Sequence, residues 1–104
     1  MNDDYYPDSW VIFRVNETGL HKVLAGWSGG YTTEDSWRVN SGITKAEDAS
    51  DYWRFHGESG SCYVVHKKGY AMRMSMSGVY DQIKDHVELL GKDTDWVNID
   101  YKIG

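Results

Sequence analysis

The stretch FHGESGSCYVVHK, residues 55–67, gathers side chains that proteins use for catalysis and for metal binding. Imidazole and thiolate groups bind zinc, and a cysteine beside a basic group can act as a nucleophile. Whether they can do such chemistry depends on the elements that position them. The reactive side chains are His56, Ser59, Ser61, Cys62 and His66.

A β-hairpin accounts for this stretch. Residues 51–56 and 61–66 are rich in aromatic and β-branched side chains, and GESG at 57–60 is a turn sequence. With the turn at 57–60, His56 lies opposite Ser61, and directly opposed residues share a sheet face. One predicted face carries Trp53, Phe55, Cys62, Val64 and His66. The other predicted face carries Tyr52, Arg54, His56, Ser61, Tyr63 and Val65.

This register separates the reactive side chains. His56 and His66 fall on opposite faces, and five residue steps, roughly 16 Å, separate Ser61 beside His56 from His66, too far for one zinc ion. Cys62 is predicted to be a small buried side chain beside Phe55. GESGS lacks the final glycine and the following helix of a nucleophile elbow. We therefore predict no catalytic residue, no metal and no cofactor.

Composition narrows the class of protein. A chain of 104 residues fits a single domain, 1–104, and its one cysteine cannot form an intramolecular disulfide. The sequence MNDDYYPDSW lacks the basic and apolar regions of a signal peptide, and no segment reaches the ~20 apolar residues of a membrane span. We expect a cytoplasmic protein without membrane contact. The net charge of −5 opposes non-specific nucleic-acid binding.

The remaining segments predict an α+β domain in which about six antiparallel strands form one sheet. Residues 10–15, 20–27, 36–43 and 96–103 have strand patterns, and residues 44–50 have the polar composition of a loop.

One α-helix, at about residues 77–90, is predicted to pack on this sheet. Val79, Ile83, Val87 and Leu90 recur at helical spacing, with Ser77 as a candidate N-cap and Gly91 as the residue after the helix.

A polar, aromatic surface is the candidate binding site. If the strands form one sheet, a common face carries Arg and Tyr side chains, which suit a protein partner, a nucleotide or a short nucleic acid. The alternative is an ordinary solvent-exposed face on which these side chains cover their neighbours. The aromatic loop Trp27–Tyr31 is a second candidate contact, for sugar or protein; the alternative is a flexible turn with Trp27 packed into the core. The predicted binding residues are Arg38, Tyr52, Arg54, His56 and Tyr63.

Several segments together resemble a family of small proteins of tailed phages, notably marine T4-like phages. The segments are GWSGGY, SWRVNSGI, FHGESGSCYVVHKKGY and SGVYDQI, and the resemblance covers residues 5 to about 85. It implies a phage origin and expression in the cytoplasm of a bacterial host. It carries no known activity, cofactor or catalytic residue. Small acidic proteins in that setting are commonly accessory factors that bind host machinery or sequester a signal.

These observations predict a phage-type accessory protein that is not an enzyme and acts as a binding module for a host or phage protein. The first alternative is a nucleotide or phosphate-ligand binder that sequesters a host signal. The others are a structural protein of the virion and a small hydrolase. The hydrolase would require His, Ser or carboxylate groups to converge, which the predicted hairpin register opposes.

Overall fold

A computed structural model describes residues 4–27 and 36–101, and this part of the chain forms two β-sheets and one α-helix. The helix, α1, spans Met74–Ile83. The strands are β1 (Asp4–Tyr5), β2 (Ser9–Val15), β3 (His21–Trp27), β4 (Ser36–Val39), β5 (Ile43–Ala49), β6 (Tyr52–Gly57), β7 (Cys62–His66) and β8 (Val87–Leu89).

The strands form two four-stranded sheets, which corrects the prediction of one sheet. The first sheet has the order β1-β7-β6-β5, and the second has the order β4-β3-β2-β8. Neighbouring strands are antiparallel, except that β1 runs parallel to β7. An α+β fold with one helix and mostly antiparallel sheets is therefore confirmed.

The predicted strand 36–43 is broken between the two sheets. Asn40 leaves the ladder, and its side-chain Oδ1 accepts a hydrogen bond of 2.9 Å from the backbone of Val23. Gly42 follows with a φ of 144°, a backbone conformation that residues other than glycine rarely adopt. The chain thus leaves the second sheet after β4 and enters the first sheet at β5.

The two sheets pack face to face around an aromatic core. Residues 10–13 of β2 are all apolar because both faces of this strand are covered. Trp10 and Ile12 face the first sheet, whereas Val11 and Phe13 face α1. The buried core between the sheets contains Trp10, Ile12, Val23, Ala25, Ile43, Ala46, Phe55, Tyr63, Val65, Trp96 and Tyr101.

Helix α1 covers the outer face of the second sheet, so the molecule has three layers. Met76 is fully buried there against Gly26 of β3. The helix begins and ends earlier than predicted: Ser77 lies inside it, and its hydroxyl donates to the Met74 carbonyl at 2.9 Å. Val87 continues the apolar period of the helix but belongs to β8, which pairs with β2. Its side chain still packs against the apolar cluster between α1 and the second sheet, although its backbone is that of a strand.

Strand β5 occupies the segment that was predicted to be a loop. It pairs with β6 along most of its length, with an irregularity between Ile43 and Lys45. Only Ile43 and Ala46 are buried in this strand, because β5 is at the edge of its sheet and turns its other side chains outward. A polar edge strand has the composition of a loop, and charged side chains protect such edges from unwanted pairing.

The predicted strand 96–103 is wrong over its described part. Trp96–Asn98 is a 3-10 turn, and residues 99–101 join no sheet. Trp96 is fully buried against Trp10 and Phe55, with ring centroids 5.9 Å from each. The Tyr101 hydroxyl donates to the Trp96 carbonyl at 2.6 Å. Packing of the indole between the sheets therefore outweighs the alternating pattern of the segment.

Candidate functional site

The β6–β7 hairpin exists, but its register differs from the predicted one by one residue. His56 pairs with Cys62, and Phe55 pairs with Tyr63. The backbone N–H of Gly57 donates to the Ser61 carbonyl at 2.8 Å, which leaves residues 58–60 as the loop. Gly60 has a φ of 93°, as in three-residue hairpin loops with a left-handed residue. A loop one residue shorter moves every β7 side chain to the other face.

The shifted register corrects the predicted faces. Tyr63 and Val65 point into the core with Phe55. Cys62 is buried as predicted, but it lies on the outer face and not beside Phe55. His66 is on this outer face too, the same face as His56.

One face of the first sheet points away from the second sheet and carries mostly polar side chains. Paired residues of β5, β6 and β7 share it, because opposed residues of a ladder point the same way. We call this surface the open face. Cys62 and Val64 are buried on it, and its more exposed side chains are those of Lys45, Glu47, Tyr52, Arg54, His56 and His66.

Three of the five predicted binding residues lie on the open face, namely Tyr52, Arg54 and His56. Arg38 does not, because β4 belongs to the second sheet. Tyr63 does not, because it is 1% exposed within the core. The predicted common face of all five residues is therefore wrong.

Arg38 and Tyr63 meet elsewhere, at the rim between the two sheets. The Arg38 guanidinium lies 4.6 Å from the ring centroid of Tyr5, and the Tyr5 and Tyr63 rings pack at a tilt with their centroids 5.0 Å apart. Burial raises the pKa of the Tyr63 hydroxyl, and the neighbouring Arg38 opposes that rise. This contact joins the edges of the two sheets.

A thiol, an imidazole and a carboxylate meet on the open face. Cys62 lies directly opposite His56, and His56 Nε2 donates to Glu47 Oε1 at 2.5 Å. Cysteine hydrolases use these three groups. Cys62 is only 2% exposed, however, and burial raises the pKa of its thiol. The thiol is therefore covered and protonated, whereas nucleophilic catalysis needs an accessible thiolate.

The carboxylate of Glu47 is held in its charged form. Its pKa is lowered by the hydrogen bond from His56 and by the charge of Lys45, whose Nζ lies 3.9 Å from Glu47 Oε2. Glu47 is not among the predicted site residues, because the polar composition of residues 44–50 predicts a solvated loop. Only pairing of β5 with β6 brings the carboxylate to the imidazole.

A hollow of about 450 Å³ adjoins the open face where the N-terminal segment passes β7. Tyr6 and Tyr52, 61% and 42% exposed, stand on its sides, and Val64 and His66 also line it. The His66 ring lies edge-on to Tyr52 at 5.0 Å, and its Nδ1 accepts a hydrogen bond from the Lys68 backbone. The sequence shows that residue 6 is aromatic, but nothing in it indicates that Tyr6 lies near Tyr52 and His66.

The two histidines of the original stretch are far apart even though they share a face. His66 pairs with Tyr52 and His56 with Cys62, so four residue steps, about 13 Å, separate them along the strands. Within residues 4–27 and 36–101, no group of three or more His, Cys, Asp or Glu side chains could hold a metal ion. No helix in the same part of the chain is long and apolar enough to cross a bilayer.

The aromatic loop Trp27–Tyr31 is described only at its first residue. Trp27 ends β3, where its indole N–H donates to the Tyr6 carbonyl at 3.1 Å and its ring meets Tyr5 edge-on. Residues 28–31 lie outside the described residues. Trp27 therefore supports the N-terminal segment that carries Tyr6.

No protein-family model, curated protein or solved structure matches the chain.

Proposed function

We propose that the chain is a non-enzymatic binding module and that a partner protein docks on its open face. The second sheet and α1 both lie on the other side of the first sheet, which makes the open face an outer surface of the molecule. Exposed Tyr52 stands beside Arg54 on the interior strand β6, and this observation carries the proposal. Tyr and Arg are over-represented among the residues that dominate protein–protein binding energies.

The charges of the open face favour a protein over a phosphate ligand. Glu47 lies opposite Arg54 in the ladder, and Lys45 lies opposite His56. Neighbouring groups of both signs complement the mixed charges of a protein surface and fix its orientation. A phosphate at Arg54 would be repelled by the Glu47 carboxylate, which weakens the nucleotide-binding alternative.

The hollow provides an anchor site next to these polar groups. Interfaces commonly place a few side chains of one partner into a desolvated pocket of the other. The hollow is apolar at Val64 and aromatic at Tyr6 and Tyr52, and its volume of about 450 Å³ accommodates a large side chain. A partner that fills it contacts both the N-terminal segment and β6–β7.

The phage resemblance supports a specific setting for this binding. We propose a host or phage protein as the partner, bound in the cytoplasm of the infected bacterium. The net charge of −5 favours a partner surface with basic residues around its contact area.

The test compares two arginine substitutions that change the charge equally. A double variant with Tyr52→Ala and Arg54→Ala removes the proposed contacts, whereas Arg38→Ala removes an arginine at the rim between the sheets. Wild type and both variants are used for affinity capture from lysate of the infected host, followed by mass spectrometry and by calorimetric titration of the captured protein. Truncation of two central interface residues should weaken binding by about 30-fold or more.

The proposal requires a protein that wild type and Arg38→Ala retain and that the double variant loses. Equal retention by all three would remove the open face from consideration. Stabilisation by mononucleotides that disappears with Arg54→Ala would establish the nucleotide alternative instead. A ligand at about 100 times its Kd adds about 2.7 kcal/mol to the unfolding free energy. A symmetric oligomer that buries the open face would favour a structural protein of the virion.

A further inference from the structure

A groove of about 350 Å³ lies on the opposite side of the molecule, between α1 and the second sheet. Its floor is the outer sheet face that α1 leaves uncovered, and one wall is the second half of the helix. The edge strand β4 contributes Trp37 and Val39 to the same sheet face. The residues that line the groove include Phe13, Lys22, Val39, Val79, Ile83 and Trp37.

The groove is an unfilled continuation of the apolar layer under α1. Phe13 and Met76 belong to one buried cluster, and Val79 and Ile83 pack against it from the helix. Trp37 remains 50% exposed at the edge of the groove. Apolar clefts of a few hundred cubic ångströms with few polar groups are typical of small-ligand sites.

The ionisable side chains that line the groove are those of Lys22 and His86, and both are basic. Lys22 pairs with Phe13 in the ladder, so its side chain rises from the floor beside the phenyl ring. It forms no ion pair with any other described residue. His86, in the 3-10 turn after α1, lines the end of the groove. The described residues contribute no carboxylate to the lining.

We propose that this groove binds a small amphipathic carboxylate, with the apolar part between α1 and the sheet and the carboxylate on Lys22. The groove volume of about 350 Å³ is at the lower end of the range for small-ligand sites, about 300–1,000 Å³. The ligand is therefore a small monocarboxylate with a short alkyl chain, such as octanoate. The proposal is independent of the protein partner, because the groove and the open face lie on opposite sides of the sandwich.

The test uses octanoate and 1-octanol, which share the chain and differ in charge. Titrations are followed by calorimetry and by the indole NMR signal of Trp37, assigned with a Trp37→Phe variant. Octanoate should bind at a ratio of one to one, at least about tenfold more tightly than octanol, because a hydrogen bond to a charged group is stronger than one to a neutral group. Lys22→Met keeps the apolar stem and should abolish this preference. Lys45→Met, on the open face, is the matched control and should leave it unchanged. Thermal unfolding of both variants verifies that they fold.

The proposal would be supported if wild type and Lys45→Met prefer octanoate to octanol and folded Lys22→Met does not. Equal affinities for octanoate and octanol in wild type would overturn it, as would absence of octanoate binding at millimolar concentration. Binding that leaves the Trp37 signal unchanged would also overturn it. A dimer that buries Trp37 and excludes octanoate would assign the groove to a second copy of the chain and refute the ligand.

Discussion

The contact between Gly26 and Met76 makes the three-layer arrangement testable. In Gly26→Ala, the new Cβ would lie 2.5 Å from Met76 Sδ and 3.0 Å from its Cγ. Optimal carbon contacts are about 3.5–4.0 Å, so the atoms must separate by about 1 Å. Met76 is fully buried in the apolar layer under α1, so its side chain must leave its present packing to make room for the methyl group. The sequence alone gives the opposite expectation, because alanine in a strand interior is favoured over glycine by roughly 0.5–1 kcal/mol.

The net effect follows from these two terms. Overpacking of a buried site costs about 1–3 kcal/mol, and the gain from replacing glycine offsets part of it. The difference between these two terms is about 0–2.5 kcal/mol. Because the distance of 2.5 Å to Met76 Sδ is far below van der Waals contact, we expect Gly26→Ala to lower the unfolding free energy by about 1–2 kcal/mol. For a domain of this size that corresponds to a Tm lower by roughly 5–15 °C. Urea denaturation and thermal scans of wild type and variant measure both quantities.

Gly78→Ala is the matched control for this substitution. Gly78 is exposed on α1, and an added Cβ meets no atom within 4 Å. The same chemical change should therefore raise the unfolding free energy by about 0.5–1 kcal/mol, because alanine is the better helix former.

A double-mutant cycle tests whether the loss of stability in Gly26→Ala comes from the contact with Met76 on α1. Met76→Ala alone should cost about 2–5 kcal/mol through the cavity that it leaves. In the Gly26→Ala, Met76→Ala double variant, the added methyl group occupies part of that cavity. The combined loss should thus be smaller than the sum by about 0.5 kcal/mol or more. Strict additivity, or a Gly26→Ala protein as stable as wild type, would refute the packing of α1 on β3.

Two further predictions concern buried reactive groups. The pKa of His21 lies below its ordinary value of 6.5 because of burial and of the charge of Arg14, with Glu88 acting in the opposite direction. The unfolded chain therefore binds more protons, so the unfolding free energy should fall by up to ~1.4 kcal/mol per pH unit as pH drops from 6.5 through the folded pKa. His21→Phe should flatten this dependence in urea titrations, and an unchanged slope would exclude His21 as its cause. Native Cys62 should react with a thiol reagent on the order of 100-fold more slowly than in urea, because opening of a packed strand costs a few kcal/mol; equal rates would contradict its burial.

Local patterns predicted the elements whose burial follows from their own sequence. The apolar run of β2, the hairpin turn after Val15 and the presence of a β6–β7 hairpin were all readable from residue types. The α+β class with one helix was readable for the same reason. Residue types did not predict the elements whose environment is made by distant residues. Strand β5 is polar because it is an edge strand. Trp96 does not lie in a strand because its side chain fills the core.

The sequence alone determined that residues 55–67 form a hairpin, that Cys62 is buried, and that Tyr52, Arg54 and His56 share a face, since alternation within one strand requires it. Only the tertiary structure decided which residues of neighbouring strands share this face with Tyr52, Arg54 and His56. The shorter loop, with the Glu58 backbone bonded to the Gly42 carbonyl at 3.0 Å, sets the register of β7. That register sends Tyr63 into the core. Pairing with β5 adds Glu47, because contacts between strands depend on backbone ladders that side-chain patterns do not specify.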